Sequence, residues 1–526
     1  MRQFGSKLGL SFMGMLVGLC YCYAANQSVA IAPPDKVAAE QEKQGQTKPS
    51  GQTAAEQKQE PPFLLSQEST GVAKSPSELA NVVARIGDYV ITQDQLRQRF
   101  LMDLRPYDYE QFNLQIPTPD VKTVLLKMIA EKAMLMEARK RNLTEDPNIR
   151  DPVKEFADRK LVNLLLQKHL QANLAITEAE IQEKMKADPK LNEAQAKLTI
   201  EKEKTGKILD KYYAEICAKF HLRKISDNFT KAAQIHERLL LHPKVPRNVE
   251  FIRNSQIENE LTPEEKNIVL ATYDNGKLTL EDWFDTLCDI VPPRRPTDLN
   301  TPAGVGRLLD VVLRMPLLVC EAKSLGLDKD KDLIAQTKER EDMFLFNKII
   351  ADKAKEINEP NAQQIIDYYN KNKEVFVTDR TLKIDQIWLP DSNTTQKAKS
   401  ELQAGKDFEL VRQLYSLEKK SEPFNTHPGS EGPFFNDLYK AEPNQILGPI
   451  KGFYGEGLRW RIVKILEKKP GATKDYSDDM KGRVKWRMVS EQRDAILEKY
   501  RKQLLEKYKY DIYADNLKGF DPLNIP

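Results

Sequence analysis

Two passages of the chain, VVARIGDYVITQDQL at residues 82–96 and VLATYDNGKLTLEDW at residues 269–283, align with each other without a gap. In each passage a short apolar run meets a turn pair, Gly87-Asp88 or Asn275-Gly276, and a second apolar run then leads into a threonine followed by a helical stretch with acidic residues. This order predicts a β-hairpin that feeds a capped α-helix. The chain is therefore expected to use one structural design twice.

A second similarity follows each hairpin. After a connection rich in proline, both copies contain an apolar helical stretch, LLKMIAEKAMLMEARKRNL from Leu125 and LLDVVLRMPLLVCEAKSLGL from Leu308. Both stretches close on Glu-Ala and a final leucine. Because hairpin, interruption and helix recur in the same order, the sequence predicts two tandem helical modules.

Size and charge restrict the class of protein. A chain of 526 residues is too long for a single hydrophobic core, so about two to four domains are expected. Charged residues make up 30% of the chain and are interleaved in sign, which is typical of solvated helix faces. The net charge of +3 is close to balance, so no nucleic-acid partner is predicted.

The N-terminus is typical of a signal peptide, predicted at residues 1–24. Two basic residues precede an apolar run of about a dozen residues that ends at Leu19, and Cys22-Tyr23-Ala24 offers a small-residue cleavage site. Three interpretations stay open, namely a cleaved signal, which is favoured, a lipoprotein acylated at Cys20, and an uncleaved anchor. Residues 25–78 are rich in Gln, Ala, Pro, Lys and Ser and are predicted to be a disordered linker.

The chain changes character after Asn358. A helical stretch, a strand at residues 381–389 and two further helical stretches follow in quick succession, and GPIKGFYGEGLRWRIVKILEK from Gly448 predicts a hairpin. This order indicates a compact α+β domain. The segment at residues 475–513 is predicted to be a long amphipathic helix that ends in a short strand, YKYDIY.

These passages resemble the SurA, PrsA and PpiD group of exported folding factors. YYNKNKEVFVTDRTLKIDQIWLP resembles the start of that group's parvulin (PpiC-type) domain, AKSELQAGKDFELVRQLYS from Ala398 resembles its helices, and GSEGPF from Gly429 and EPNQILGPIKGFYG from Glu442 resemble its later segments. The resemblance implies a helical chaperone module that is interrupted by a peptidyl-prolyl cis-trans isomerase (rotamase) domain and is completed by a C-terminal helix.

The expected fold class is mainly α with an α+β part. The predicted domains are a first SurA-type helical module at 79–265, a second at 266–374, a parvulin-like domain at 375–470, and a C-terminal helix at 471–526 that completes a helical module. Residues 217–242 are either a decayed parvulin insert or a plain helical connection, and the second interpretation is favoured.

The resemblance also identifies positions where catalysis is in doubt. Parvulins use two histidines on adjacent strands, and this chain has Gln386 and Arg461 at the positions that the resemblance assigns to them. Between Phe435 and Pro443 the segment is expected to be too short for the helix that carries pocket residues in the family. His427 lies just before the glycine segment, where it is either an exposed loop residue, which is favoured, or a substitute for a lost histidine.

Six apolar side chains in this region are candidates for a substrate-binding groove, although core packing is the alternative for each. They are Phe408, Phe434, Phe435, Leu438, Tyr439 and Trp460. No metal site and no cofactor are predicted, because the histidines lack ligand spacing and no phosphate loop or dinucleotide turn is present.

The sequence favours a cell-envelope chaperone, periplasmic if the compartment is a periplasm, that binds unfolded or nascent exported polypeptides. Such a protein needs apolar, adaptable surfaces, which the run KMIAEKAMLM from Lys127 offers. Membrane attachment is expected only through the N-terminus. The alternatives are an active peptidyl-prolyl isomerase and a dedicated partner in the assembly of one envelope complex.

Overall fold

The computed structural model describes residues 81–105, 118–244, 250–376, 380–455 and 457–524. The predicted signal peptide and linker lie outside the described residues. The described strands are β1 (Val82–Ile86), β2 (Tyr89–Thr92), β3 (Arg223–Lys224), β4 (Val269–Tyr273), β5 (Gly276–Thr279), β6 (Thr381–Leu389), β7 (Phe424–Thr426), β8 (Ile446–Tyr454), β9 (Gly457–Lys469) and β10 (Tyr510–Ile512).

Helices dominate the described residues, so the predicted fold class, mainly α with an α+β part, is confirmed. The helices are α1 (Gln93–Leu104), α2 (Val121–Lys140), α3 (Pro147–Asn173), α4 (Glu178–Ala187), α5 (Glu193–Lys219), α6 (Phe229–Leu241), α7 (Asn254–Glu260), α8 (Pro263–Lys266), α9 (Leu280–Asp289), α10 (Pro302–Val312), α11 (Arg314–Ser324), α12 (Lys331–Ala354), α13 (Ala362–Lys371), α14 (Ser392–Gln403), α15 (Phe408–Tyr415), α16 (Pro428–Glu431), α17 (Phe434–Lys440) and α18 (Asp478–Lys507).

The contacts divide the chain into two compact units. One unit holds Asp151–Lys338, and the other joins Pro61–Arg150 to Glu339–Pro526. This grouping differs from consecutive domains, because the N-terminal hairpin shares a unit with the C-terminal helix. The predicted boundaries at 79–265 and 266–374 treat the modules as consecutive stretches, and they stay a prediction.

Both predicted hairpins are present and have the same register. Ala84 pairs with Ile91 in the first hairpin, Ala271 pairs with Leu278 in the second, and both hairpins carry a bulge at the equivalent position. The turn prediction Asn275-Gly276 is wrong by one residue, since β5 already begins at Gly276. The reason is steric: a Cβ on Gly276 would lie 2.3 Å from the ring of Tyr273, so the glycine serves as a strand residue under that ring.

Each hairpin passes directly into a capped helix, as predicted. The Thr92 hydroxyl accepts a hydrogen bond from the backbone N–H of Gln95, whose side chain accepts one from the N–H of Thr92. Thr279 and Asp282 form the same reciprocal cap at the start of α9. These capping boxes satisfy backbone donors that the first helical turn leaves open, and they fix where each helix starts.

A third strand completes each hairpin sheet. β10 pairs antiparallel with β1, giving the order β10-β1-β2, and β3 pairs antiparallel with β4, giving the order β3-β4-β5. The predicted strand in YKYDIY is therefore confirmed. β3 belongs to the hairpin sheet of the second copy, which does not support the interpretation of residues 217–242 as a decayed parvulin insert.

The Asp151–Lys338 unit has a large aromatic and aliphatic core. Trp283 and Phe284 on α9 are fully buried and stack edge to face, with ring centroids 5.0 Å apart. The Trp283 indole N–H donates to the carbonyl of Val305 on α10 at 3.1 Å, so the buried ring leaves no polar atom unpaired. The three described cysteines, Cys217, Cys288 and Cys320, are free thiols.

In the other unit the C-terminal helix α18 packs against α2. At this contact Glu137 of α2 accepts hydrogen bonds from Lys507 (2.6 Å), Tyr508 (2.7 Å) and Arg141 (3.1 Å). A second buried pair, Arg99 with Glu131, joins α1 to α2. The last helix therefore packs on the helix α2 that follows the first hairpin, and its completion of a helical module stays a prediction.

The predicted α+β domain is built on a four-stranded antiparallel sheet with the order β7-β6-β9-β8. The predicted strand at 381–389 and the predicted hairpin after Gly448 are confirmed as β6 and as β8 with β9. One face of the sheet packs on α14 and α15, and the other packs on α17. α17 has seven residues and begins at Phe434, and the expectation that this segment is too short for the family's pocket-bearing helix stays a prediction.

Titration of Glu137 tests the contact between α2 and α18. Partial burial pushes the pKa of Glu137 up, but the hydrogen bonds from Lys507, Tyr508 and Arg141 outweigh burial and lower the pKa from 4.5 to about 2. Since the folded pKa is the lower one, the carboxylate contributes stability that is fully present above pH 4.5 and is lost as the pH falls toward about 2.

Glu137→Gln is expected to lower the free energy of unfolding by roughly 1–3 kcal/mol at neutral pH, and the deficit should shrink at pH about 3. Urea titrations at both pH values measure this difference. Glu506→Gln, an exposed acid next to Lys507, is the matched control and should change stability by less than about 0.5 kcal/mol. A deficit of equal size at both pH values would contradict the assignment.

Candidate functional site

The two predicted catalytic positions lie on neighbouring strands of the α+β domain. Gln386 is on β6 and Arg461 is on β9, and the register places Gln386 opposite Val463 and Arg461 opposite Trp388. Since side chains alternate along a strand, Gln386, Trp388 and Arg461 share one face of the sheet. The structure thus brings together the two positions that the resemblance assigns to histidines.

A buried ion pair fills the place where these side chains meet. The Arg461 guanidinium donates from Nη2 to Glu431 Oε2 at 2.6 Å and from Nη1 to Gln386 Oε1 at 3.0 Å. The Thr426 hydroxyl donates to Glu431 Oε1 at 2.9 Å. Arg461 is 1% exposed and Glu431 is 6% exposed, so this network is closed to solvent. The two terminal nitrogens of Arg461 are paired, whereas its Nε is buried without a hydrogen-bond partner. Pairing with Glu431 is the condition for keeping the arginine charge inside the protein.

The surrounding chain is shaped to hold the guanidinium. Its central carbon lies 5.1 Å from the ring centroid of Trp388, and a Cβ on Gly452 of β8 would lie 2.4 Å from Arg461 Nε. Gly452 therefore leaves the space that the arginine side chain occupies.

The predicted substrate-binding side chains do not form one groove. Phe408 and Trp460 belong to the cluster between the sheet and helices α14 and α15. Phe435, Leu438 and Tyr439 belong to the cluster on the opposite face, under α17. The sixth, Phe434, is only half-buried and packs edge to face on Phe453, with ring centroids 5.4 Å apart. A single groove through all six is thus wrong, because strand alternation separates them, and core packing accounts for the two clusters.

His427 is half-buried, so the interpretation as an exposed loop residue is corrected. It caps α16, where Nδ1 accepts from the backbone N–H of Gly429 at 3.1 Å and Nε2 lies 2.9 Å from the Ser430 hydroxyl. These contacts hold the glycine segment that carries Glu431. His427 therefore helps to fix the position of Glu431 in the ion pair.

Sequence reasoning missed Glu431, the residue on which the network depends. A signal was available, since an acid inside the glycine segment GSEGPF accompanies the arginine at a former histidine position. Because a buried guanidinium needs a counter-ion, the arginine alone predicts such an acid nearby.

A second candidate site lies within the Asp151–Lys338 unit. Helices α3, α5 and α11 surround a mainly apolar groove. Its lining residues are Leu166, Lys202, Thr205, Gly206, Leu209, Asp210, Tyr212, Tyr213, Arg314 and Leu318. The Arg314 guanidinium lies 5.6 Å from the Tyr213 ring centroid, so the groove combines apolar walls with an aromatic ring and a cation. This composition is typical of a site that binds an apolar ligand.

Among the described residues, no group of His, Cys, Asp and Glu side chains is arranged to hold a metal ion. Within the same ranges, no helix is both long and apolar enough to cross a membrane.

Comparison with known proteins identifies the α+β domain. Residues 360–480 match the family model of the PPIC-type PPIase domain. The chain therefore carries a parvulin-type domain, and the predicted resemblance to parvulin-containing folding factors of the SurA and PrsA type is confirmed. A search of curated protein sequences gave no match.

Solved structures also match parts of the chain. One, reported with the SurA-like chaperones PEB4 and Cj1289 of Campylobacter jejuni, is 15% identical with a TM-score of 0.20 and covers 51% of this chain and 98% of its own. The foldase PrsA of Streptococcus pneumoniae is 18% identical with a TM-score of 0.23 and covers 36% of this chain and 71% of its own. Scores this low carry no information about shared activity.

Removing Arg461 tests whether the ion pair holds the domain together. Arg461→Met should lower the free energy of unfolding by roughly 3–5 kcal/mol, because it leaves the Glu431 carboxylate buried without a partner. The double variant Arg461→Met, Glu431→Gln should recover most of this loss. Denaturant unfolding of the full chain measures both, with Arg459→Met, exposed on the same strand, as the control. A single variant as stable as the control would show that the network is dispensable.

Proposed function

We propose that this protein is a cell-envelope folding factor that binds unfolded exported polypeptides and whose PPIC-type domain no longer isomerises prolyl bonds. The observation that carries the second part is the closed network of Arg461, Glu431 and Gln386. The domain match supports the first part at the level of a parvulin-containing folding factor.

The chemistry of prolyl isomerisation explains why the network opposes catalysis. Rotation about an X-Pro bond crosses a barrier of about 18–20 kcal/mol that arises from amide resonance. An enzyme lowers it by holding the proline ring in an apolar pocket and by stabilising the twisted amide with groups that are free to hydrogen-bond. In this chain the Gln386 carbonyl and the Arg461 guanidinium, at the two positions that the resemblance assigns to histidines, already bond to each other, which opposes their contact with a substrate amide.

The groove between α3, α5 and α11 is the favoured surface for unfolded polypeptide. A client segment that places one large apolar side chain there removes that side chain from water, which contributes roughly 1.5–3 kcal/mol. The run KMIAEKAMLM, by contrast, does not offer this surface. Met128 and Met134 on α2 are buried in the core, so they are not accessible to a client.

A second apolar surface lies on the PPIC-type domain. Leu410 and Leu414 on α15 and Leu417 just after it are 44–57% exposed. Leu410 and Leu414 are four residues apart and therefore lie on one side of the helix, and exposed apolar stripes of this kind mark binding surfaces when they are contiguous. This stripe supports a contribution of the non-catalytic domain to client binding.

Export is part of the proposal. It is supported by the basic and apolar pattern of residues 1–24, which lie outside the described residues. Acylation at Cys20 stays the alternative form of attachment. The alternative is a dedicated partner in the assembly of one envelope complex. Such a protein would bind its own partner but not unrelated unfolded proteins, whereas the proposed folding factor binds both.

A protease-coupled assay with a proline-containing peptide tests the loss of isomerase activity. The full chain is expected to give no acceleration over the uncatalysed rate, and Gln386→Ala and the exposed control Gln413→Ala should behave alike. Acceleration by the full chain that disappears in Gln386→Ala but not in Gln413→Ala would contradict the proposed loss of isomerase activity and establish the active-isomerase alternative.

Gly206, which lines the groove on α5, allows the groove to be filled without removing any contact. Gly206→Phe is expected to weaken binding of a permanently unfolded, reduced and carboxymethylated protein by about tenfold or more, because the ring occupies space that a client side chain needs. Fluorescence anisotropy with the labelled client measures the change.

Gly206→Ala is the matched control. It brings the same relief of glycine's helix penalty, about 1 kcal/mol, but leaves the groove open, so client binding should be unchanged. Leu414→Glu tests the stripe on α15 in the same assay. If Gly206→Phe binds like the wild type and only Leu414→Glu loses binding, then the client surface is the stripe and the groove is excluded.

A further inference from the structure

The two copies of the repeat each supply a head and a tail. Head 1 is the hairpin β1–β2 with α1 and α2, and head 2 is the hairpin β4–β5 with α9, α10 and α11. Tail 1 is the end of α5 with β3 and the 3-10 helix Ser226–Asn228, and tail 2 is the end of α18 with β10 and the 3-10 helix Ala514–Leu517. Along the chain the order is head 1, tail 1, head 2, tail 2.

Both tails dock on a head through the same polar contacts. Three contacts join equivalent atoms, although the tails differ at most other positions. When tail 2 docks on head 1, the contacts are Tyr513 N to Val83 O (2.9 Å), Asn516 Nδ2 to Val82 O (2.7 Å) and Lys507 Nζ to Glu137 Oε2 (2.6 Å). When tail 1 docks on head 2, the equivalent contacts are Ile225 N to Leu270 O (2.8 Å), Asn228 Nδ2 to Val269 O (2.8 Å) and Lys219 Nζ to Glu321 Oε2 (2.5 Å).

The docking is exchanged between the copies. Tail 2 lies on head 1 and tail 1 lies on head 2, although the order along the chain would allow each head to take the tail that follows it. Chain connectivity does not explain the choice. We call the alternative, in which each head takes the tail that follows it, consecutive docking. Compared with consecutive docking, the exchanged arrangement closes one longer and one shorter loop. Because the entropy cost of closing a loop grows only logarithmically with its length, the two changes in that cost nearly cancel.

One side-chain pair at the strand contact differs between the copies. Arg85 of head 1 is directly opposite Asp511 of tail 2, whereas Thr272 of head 2 is opposite Arg223 of tail 1. Consecutive docking would place Arg223 opposite Arg85. Opposite charges across a strand pair are favourable and like charges are not, so this position favours the exchange.

A neighbouring position gives the same preference. Lys224 of tail 1 forms an ion pair with Asp310 on α10 of head 2. The residue of tail 2 that is equivalent to Lys224 is Ile512. When the buried positions of α2 are matched to those of α10 and α11, the residue of head 1 that is equivalent to Asp310 is Leu126. That match is shifted by one residue from the sequence alignment. Consecutive docking would set each charge against an apolar side chain.

We propose that each head is a recognition surface for a helix–strand tail and that these charges select the tail of the other copy. Arg85 with Asp511 and Asp310 with Lys224 are the specificity determinants. The partner that a head recognises is a second copy of the same structural unit, supplied in this chain by the other repeat. The proposal does not depend on client binding or on isomerase activity.

Disulfide trapping in the full chain tests the docking. With the five native cysteines replaced by serine, one variant carries Ile86→Cys with Tyr510→Cys, which are opposite in the exchanged register. The matched variant carries Ile86→Cys with Leu222→Cys, which consecutive docking would bring together. Mild oxidation followed by gel electrophoresis should show a bond only in the first variant, within one chain or between two copies. A bond in the second variant instead would overturn the exchange.

Charge substitutions test the selection. Arg223→Asp with Asp511→Arg should shift trapping from the first cysteine pair toward the second by about 2- to 10-fold, since the favourable cross-strand pair is then the consecutive one. Asp511→Arg alone should lower trapping by the first pair, and adding Arg85→Glu should restore it. Asp515→Arg, which makes the same charge change beyond the strand, should have no effect. Disulfide yields that are the same in all these charge variants would overturn the proposal.

Discussion

The helical modules depend on one constraint, namely that a two-stranded hairpin is only marginally stable until a third strand covers its open edge. In this chain neither hairpin is covered by the residues that directly follow it. β10 arrives from the C-terminus and β3 from the helix that precedes the second hairpin. Each edge strand also brings a long helix, α18 or α5, onto the apolar helices behind its hairpin. The same short pairing therefore decides which distant segments share a core.

The PPIC-type domain carries a charged pair inside its fold. Its four-stranded sheet is covered by helices on both faces, and Arg461 and Glu431 pair beside the strands β6 and β9. A buried ion pair contributes little net stability compared with apolar packing, yet the loss of one partner is costly. A single substitution at Arg461 or Glu431 is therefore expected to destabilise the domain, so the pair can be replaced only by changing both residues.

Local patterns in the sequence were sufficient to predict the hairpins, the capped helices and the strand β6, because each depends on neighbouring residues. Turn geometry was harder, since the place of Gly276 is decided by the ring of Tyr273 rather than by turn preference. β3 could not be predicted, because two exposed residues, Arg223 and Lys224, show no alternation. In the candidate site the positions of Gln386 and Arg461 were predictable, whereas the separation of the six apolar candidates required the sheet register.

The PPIC-type domain and the helix α4 occupy comparable places in the two copies. In the second copy the domain lies between α12, which follows head 2 along the chain, and α18, which carries tail 2. In the first copy the same place, between α3 and α5, holds only the ten-residue helix α4, which packs on α5 through Ile181, Ala196 and Ile200. The connection between a head and the tail that follows it is therefore a whole domain in one copy and a single helix in the other, while both tails dock in the same way. Because the strand pairs that dock the tails include no residue of the PPIC-type domain, the docking is separate from whatever that domain does.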